Sequence, residues 1–244
     1  MKTLVLIPSR LSATRLPGKP LLKINGLSII SHVAKIAEKA NIGDVYVATE
    51  DQAIFDDIIE NGSNAILTND KHKTGTDRIY EAIEKLGKSD VELIMNLQGD
   101  EPLMNIEDIK NLHNQMIKNK TDLGTLASII SNEKLYQDLN TVKVATRESL
   151  NNSSFPAAIK FMRRLDGINK NIYHHLGIYC YKLETLKKFV SLNQSQNEIK
   201  YKLEQLRALD NNIHINVALA KTCSIGVDTE EDFLAIKKIM EYKS

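Results

Sequence analysis

Apolar positions along this chain follow two different periods. Residues 4–7 form an unbroken apolar run, residues 45–48 a second of the same length and 65–67 a shorter third, while residues 93–97 make a fourth interrupted only by Asn96. Runs of that length without alternation predict strands buried on both faces. Between them the spacing becomes helical, through Ile29, Ile30, Val33, Ile36 and Ala37 in 28–39, then Ile54, Phe55, Ile58 and Ile59 in 52–60. Ser28 is placed to cap the first of these helices and Gly62 to stop the second. A third helical pattern starts at Ile79 and continues through Ala82, Ile83 and Leu86. Alternating strands and helices with such short connections require right-handed parallel crossovers. The predicted fold class is therefore α/β, with a mostly parallel central sheet and helices on both faces.

The second half is less regular. A helix is expected over 106–117, strands over 125–130 and 142–145, and a short helix around Tyr136 in the polar stretch 131–140. YHHLGIYCY, residues 173–181, alternates as a strand with His175, Gly177 and Tyr179 on one face and His174, Leu176, Ile178 and Cys180 on the other. Helices are expected over 183–190 and 202–209, the latter turning Leu203, Leu206 and Leu209 inward and Glu204, Gln205 and Arg207 elsewhere. A strand over 213–218 and a final helix over 230–242 complete the pattern. Residues 147–170 fit neither period and read as an excursion from the main sheet, a place for acceptor or dimer contacts. At 244 residues the chain fits a single domain, 1–244, with this excursion at about 147–182.

Composition narrows the partners. Lys plus Arg at 32 against Asp plus Glu at 31 leaves a net charge of +1, so no global field draws nucleic acid or an anionic membrane. Any anion site must be local. Cys180 and Cys223 match no zinc spacing or disulfide framework, and no apolar stretch reaches membrane-spanning length or resembles a signal peptide. A cytoplasmic protein is expected.

The local anion site is expected in LVLIPSRLSATRLPGKPLLK, residues 4–23. Pro8 lacks an N–H and is expected to end the first strand there. Arg10, Arg15 and Lys19 follow within ten residues, spaced by Ser9, Ser12 and Thr14 and closed by Pro17, Gly18 and Pro20. Two prolines and a glycine shape such a loop without regular structure, and a loop leaving the C-terminal end of a parallel strand is where α/β sheets bind ligands. It is read as a triphosphate cradle. No GxG triplet occurs, so neither dinucleotide nor P-loop fingerprints apply. Thr74-Gly75-Thr76-Asp77-Arg78 opens the third helix, with Asp77 or Thr76 as candidate caps and Arg78 calling for an anion nearby, since a cation is unfavourable at a helix N-terminus. Gln98-Gly99-Asp100-Glu101-Pro102 presents carboxylates at a strand end, suited to Mg²⁺ held by one Asp plus phosphates and water, unless they cap the following helix. Asp228 sits where an N-cap is expected, and capping is the simpler reading than metal binding.

In order, IPSRLSATRLPGKPL, TGTDR, LQGDEP, HLGIY, LEQLR and GVDT resemble the CMP-Kdo synthetases, the 3-deoxy-manno-octulosonate cytidylyltransferases, over essentially the whole chain. The resemblance implies a nucleotide-diphospho-sugar transferase (Rossmann-like) fold and formation of CMP-Kdo and pyrophosphate from CTP and Kdo for lipopolysaccharide synthesis. It also implies a homodimer. Arg10, Arg15 and Lys19 match the triphosphate loop, with Thr74, Gly75, Thr76, Arg78 and Gln98 at the nucleotide. Lys19, Arg10 and Asp100 are the implied catalytic residues, and Asp100 with Asp228 the Mg²⁺ ligands. Gln98, His175, Tyr179, Glu204 and Gln205 match positions contacting the sugar acid. One segment departs: an arginine usual just before the proline is missing from NNSSFPAAIKFMRR, which keeps Pro156, and Arg163 or Arg164 is the candidate substitute. Kdo is the first acceptor expected and an 8-amino variant the next. Rival readings are a cytidylyltransferase for a sialic-acid-like acid and a catalytically silent nucleotide-binding protein; the latter loses ground because both carboxylates and Lys19 are present.

Overall fold

The apolar runs of the first half become neighbouring parallel strands. The computed structural model describes residues 1–12, 15–88, 90–151, 154–165, 167, 170–223 and 226–242; Thr14, Asn152, Ser153 and Ile225 lie outside the described residues. The chain forms two compact units, one of residues 2–106 and 224–244, the other of residues 107–223 with Met1.

In the first unit, β1 (Thr3–Ser9) is followed by a hairpin of β2 (Lys23–Ile24) and β3 (Leu27–Ser28), then α1 (Ile29–Ala40), β4 (Asp44–Thr49), α2 (Gln52–Glu60), β5 (Ala65–Leu67), α3 (Gly75–Leu86) and β6 (Leu93–Asn96). β6, β1, β4 and β5 pair in that order, all parallel. Successive side chains of β1 point to opposite faces, yet Leu4, Val5, Leu6 and Ile7 are all 0% exposed, so both faces of the strand are covered. Ser28 caps α1 as expected, accepting from the Ser31 amide at 3.1 Å. The β2–β3 hairpin was not expected from periodicity. Its turn is Asn25-Gly26, both at positive φ (50° and 80°), the dipeptide that two-residue hairpin turns favour.

The second unit comprises α4 (Ile106–Asn119), β7 (Leu123–Ser128), α5 (Glu133–Gln137), β8 (Lys143–Thr146), β9 (Ala158–Met162), β10 (Ile172–Lys182), α6 (Leu183–Ser191), α7 (Gln196–Tyr201), α8 (Leu206–Asp210) and β11 (Asn216–Leu219). β11 runs parallel to β7, whereas β10 is antiparallel to both β7 and β8, and β9 is antiparallel to β8. Within the supposed excursion, residues 158–162 are thus a paired strand. The chain then ends with α9 (Glu230–Tyr242) in the first unit, at the bounds its periodicity predicts.

Two expectations fail here for physical reasons. The helix expected over 202–209 is broken, because Ser195 and Glu198 form a capping box that starts α7 upstream, and Lys202, at φ 53°, ends it in the left-handed conformation. Glu204 and Gln205 fall in the turn before α8, and Arg207 is buried instead of facing away from the core. Arg207 makes a two-pronged contact with Glu198, Nε to Oε2 at 2.8 Å and Nη2 to Oε1 at 2.6 Å, with both side chains under 5% exposed. Burial opposes the Glu198 charge, but the Arg207 hydrogen bonds outweigh it and hold the carboxyl below its ordinary pKa. In β10, a register shift between Leu176 and Tyr179 interrupts strict alternation, and Leu176 is buried beside His175.

Arg207→Met leaves Glu198 buried without its partner and is expected to cost about 3–5 kcal/mol in urea unfolding, whereas the double change Arg207→Met with Glu198→Leu recovers much of that loss.

Candidate active site

The cradle begins where the parity of β1 lets a proline leave the sheet. Contrary to expectation, β1 runs one residue past Pro8, pairing Pro8 with Ala48 and Ser9 with Thr49. The Leu6 carbonyl accepts from Leu97 on the β6 side, and Pro8 shares that orientation; the β6 ladder has already ended at Leu6–Asn96, so the missing N–H breaks no bond. Two glycines close on this proline. A Cβ on Gly99 would stand 3.0 Å from the Pro8 carbonyl oxygen, and one on Gly75 would stand 3.0 Å from Pro8 Cγ.

Beyond Ser9 the loop is pinned at several points. The Leu11 amide donates to Asp51 Oδ2 at 2.7 Å. Gly18 takes φ 69° and leads into a single 3₁₀ turn, Lys19–Leu21, with Pro20 inside it, so this part of the loop is locally regular. Leu16 and Leu22 pack on the cluster of Ile24, Ile29, Val227 and Ile236. Apolar contacts therefore hold the cradle against the GVDT segment and α9, and fix where Lys19 and Asp228 stand.

Their charges converge. Lys19 Nζ lies 2.6 Å from Asp100 Oδ2 and 3.3 Å from Asp228 Oδ1, while Arg15 Nη2 lies 3.0 Å from Asp228 Oδ2. The cap expected at Asp228 is supplied by its neighbour: Thr229 Oγ1 accepts from the Asp232 amide at 3.2 Å, and Asp232 Oδ2 accepts from the Thr229 amide at 2.9 Å. The Asp228 carboxylate is left to face the cradle. Nor does the Asp100 carboxylate serve as a cap in any contact seen here; it turns to Lys19. Two carboxylates converging on one cationic point are donors of the oxygen type that a hard divalent ion takes.

Across a cleft of about 390 Å³, Arg10, Arg15 and Lys19 share a lining with Thr74, Gly75, Arg78, Gln98, Asp100 and Asp228. Thr76, also expected at the nucleotide, is 2% exposed and does not line the cleft. The helix cap is neither Asp77 nor Thr76: Thr74 Oγ1 accepts from the Asp77 amide at 3.1 Å. The anion that Arg78 calls for is Glu50, which it pairs with directly, and Arg78 also donates to Thr68 Oγ1 at 2.6 Å. His72 and Lys73 line the cleft too and were missed, although the basic run KHK directly before TGTDR carries the signal. His72 meets Glu81, whose carboxyl, despite burial, is drawn down to about 2 by bonds from Lys85, His72 and the Asn69 amide.

In the second unit, His175 and Tyr179 lie with ring centroids 5.5 Å apart, and Phe161 packs edge-on to His175 at 5.0 Å. Thr125 Oγ1 lies 2.7 Å from the Ile178 carbonyl and 3.0 Å from His175 Nε2. With its one proton given to the carbonyl, the hydroxyl accepts from Nε2–H, which leaves Nδ1 as an acceptor. Burial, with His174 beside it, lowers the His175 pKa to about 3, so the ring is neutral at working pH. Burial, Tyr181 and the Glu204 carboxylate raise the Tyr179 pKa well above its ordinary value, so its phenol keeps its proton. Gln205 is 8% exposed in the same unit. The departing segment is anchored internally: the Phe155 carbonyl accepts from Asn216 Nδ2 at 2.7 Å, and Arg163 donates to the carbonyls of Leu139 and Asn140 at 3.0 and 3.1 Å.

A parallel α/β unit whose first strand delivers a cationic loop opposite two carboxylates defines an α/β protein equipped for nucleotides. The cytidylyltransferase family profile matches residues 4–215. The 3-deoxy-manno-octulosonate cytidylyltransferase of Bartonella tribocorum is 39% identical over 98% of this chain and 99% of its own length; that of Brucella ovis is 39% identical over 95% and 93%. A solved CMP:2-keto-3-deoxy-manno-octonic acid synthetase complexed with CTP aligns over 100% of both chains with a TM-score of 0.90 at 31% identity. The chain belongs to the 3-deoxy-manno-octulosonate cytidylyltransferase family.

Thr229→Ala is expected to lower stability by about 1 kcal/mol through loss of the α9 cap, with Asp228→Asn changing thermal unfolding far less. The lowered Glu81 pKa implies acid sensitivity of a defined sign. Glu81 contributes stability above its ordinary value of 4.5 that is lost as pH falls toward about 2, and denaturation midpoints of Glu81→Gln should show a flatter decline over that window.

Proposed function

We propose that the cleft of the first unit binds CTP with Mg²⁺ and that the chain joins it to Kdo, giving CMP-Kdo and pyrophosphate. The observation that carries the site is the meeting in one cleft of the cradle cations, the start of α3 and the carboxylates of Asp100 and Asp228. The anomeric hydroxyl oxygen of the sugar attacks the α-phosphorus in line; the bond from that phosphorus to the bridging oxygen breaks, pyrophosphate leaves with the electron pair, and the hydroxyl proton passes to water. Arg10, Arg15 and Lys19 offset the charge that builds on the departing pyrophosphate, an electrostatic role without a covalent intermediate. The capped start of α3, with Thr74 and Gly75 in the lining, offers backbone donors to the nucleotide. Asp100 and Asp228 would hold the metal, which would supply Lewis-acid chemistry when bound. Gln98 lines the same cleft, and Arg78, locked to Glu50, shapes its wall.

For the sugar acid we assign His175, Tyr179, Glu204 and Gln205 of the second unit. A neutral imidazole with an acceptor nitrogen and a protonated phenol suit a polyhydroxylated ligand. Because Arg163 is committed to backbone carbonyls, we do not give it the role of the missing arginine. We place the reaction in the cytoplasm, as a step toward lipopolysaccharide. Among the described residues no helix is long and apolar enough to cross a membrane. A homodimer is proposed through β9, whose only strand partner among the described residues is β8 and whose Ile159 is 58% exposed. Sedimentation should give twice the mass of one chain, and Ile159→Lys should shift it toward the monomer.

The deciding measurement is pyrophosphate release from CTP and Mg²⁺ with Kdo, 8-amino-Kdo and N-acetylneuraminic acid in parallel. Turnover with Kdo, reduced at least about 100-fold in Asp100→Asn at saturating substrate, is the expected result. Release only with another acid would reassign the acceptor, and full activity of Asp100→Asn would remove the metal assignment.

A further inference from the structure

The position of Lys19 reaches past its role toward the phosphates. Its side chain is 13% exposed and starts from a 3₁₀ turn fixed by Gly18, by Pro20 and by the apolar contacts of Leu16 and Leu22. From there its ammonium is placed between Asp100 and Asp228, at 2.6 and 3.3 Å. Asp228 is answered a second time by Arg15. The oxygen atoms proposed to hold the divalent ion are therefore already neutralised by the loop proposed to hold the triphosphate.

Resting on the reading of this cleft as a metal–nucleotide site, we infer that Lys19 is a resident counter-ion that keeps the carboxylate pair closed to free divalent cations until a triphosphate draws it away. An ammonium within hydrogen-bond distance of both carboxylates occupies the region where a small dication would have to sit, at about 2.0–2.1 Å from its oxygens. Like charges cannot share that region. A triphosphate entering the cleft offers Lys19 another set of anionic oxygens, so its ammonium can leave the carboxylates without losing its partners. Lys19 thus has two alternative anionic sets and exchanges one for the other, and the carboxylates open only when nucleotide is present. Metal and nucleotide then bind with strong positive coupling, and by reciprocity each tightens the other by the same factor. Asp100 and Asp228 also stay neutralised while the cleft is empty, which avoids two unopposed carboxylates facing each other beside the cluster of Val227 and Ile236.

The test measures Mn²⁺ binding by electron paramagnetic resonance to the intact chain without nucleotide, and again with a non-hydrolysable CTP analogue. Wild type is expected to bind Mn²⁺ weakly alone. Lys19→Gln should bind it at least about tenfold tighter, the scale on which residues surrounding metal ligands act. Lys19→Arg keeps the positive charge and should remain weak. The combination Lys19→Gln with Asp100→Asn should lose the gain. In wild type the analogue should tighten Mn²⁺, and in Lys19→Gln that coupling should shrink. Equal affinity in wild type and Lys19→Gln overturns the inference, and so does equal tightening in Lys19→Gln and Lys19→Arg, which would point to loop rearrangement instead of charge. If Mn²⁺ bound to Lys19→Gln is indifferent to Asp100→Asn, the metal-site reading itself falls, an outcome separate from the other two.

Discussion

A loop carrying several cations can hold one shape only if its charges are answered close by. That constraint organises the first unit. Lys19 meets Asp100 and Asp228, Arg15 meets Asp228, and the buried Arg78 meets Glu50 at the end of β4. Each acid comes from a chain segment distant in sequence from its cation, so pairing the charges also ties the C-terminal ends of the strands together. The apolar cluster of Ile24, Ile29, Val227 and Ile236 does the complementary work, because it sets the distances at which those charges meet. Packing fixes the frame and electrostatics selects what the frame can hold.

The second unit handles polarity in the opposite way. His175 and Tyr179 are neutral through burial, and Thr125 sets the imidazole tautomer through one hydroxyl shared between the ring and a main-chain carbonyl. Where a formal charge pair is buried, at Arg207 and Glu198, it is bidentate and closed on itself, and it joins the first turn of α8 to the first turn of α7. Hydroxyl-bearing ligands are distinguished by the direction of hydrogen bonds, and neutral groups with fixed donor and acceptor roles provide direction without a field that would favour any anion.

Much of this was legible in the sequence because periodicity is a local property. The four parallel strands, α1, α2 and α9 stand where the apolar spacing put them, and the cradle, the carboxylates and the helix start reach one cleft. What escaped was non-local or degenerate. Nothing in the spacing of Arg78 reveals that Glu50, 28 residues earlier, turns toward it. Asp228 and Thr229 are both good caps, and the choice between them depends on Asp232 reaching back. The apolar pattern over 202–209 survives a break at Lys202, since residues on either side of a left-handed turn can still pack inward. Asn25-Gly26 was readable, but its strands are two residues long and have no period to show.

The parity of β1 makes the chain between Thr3 and Pro8 quantised in length. Pro8 is harmless because its nitrogen points toward the side where pairing has ended. Lengthening this strand by one residue would turn that nitrogen toward β4, where the ladder continues to Ser9, and would turn every apolar side chain to the opposite face. Changes in pairs restore the facing but carry the cradle away from Gly75 and Gly99, which close on the proline ring and carbonyl. Length variation in this part of the molecule is therefore confined to the segment after Ser9, and the point where the cradle leaves the sheet is held by the integer geometry of one strand.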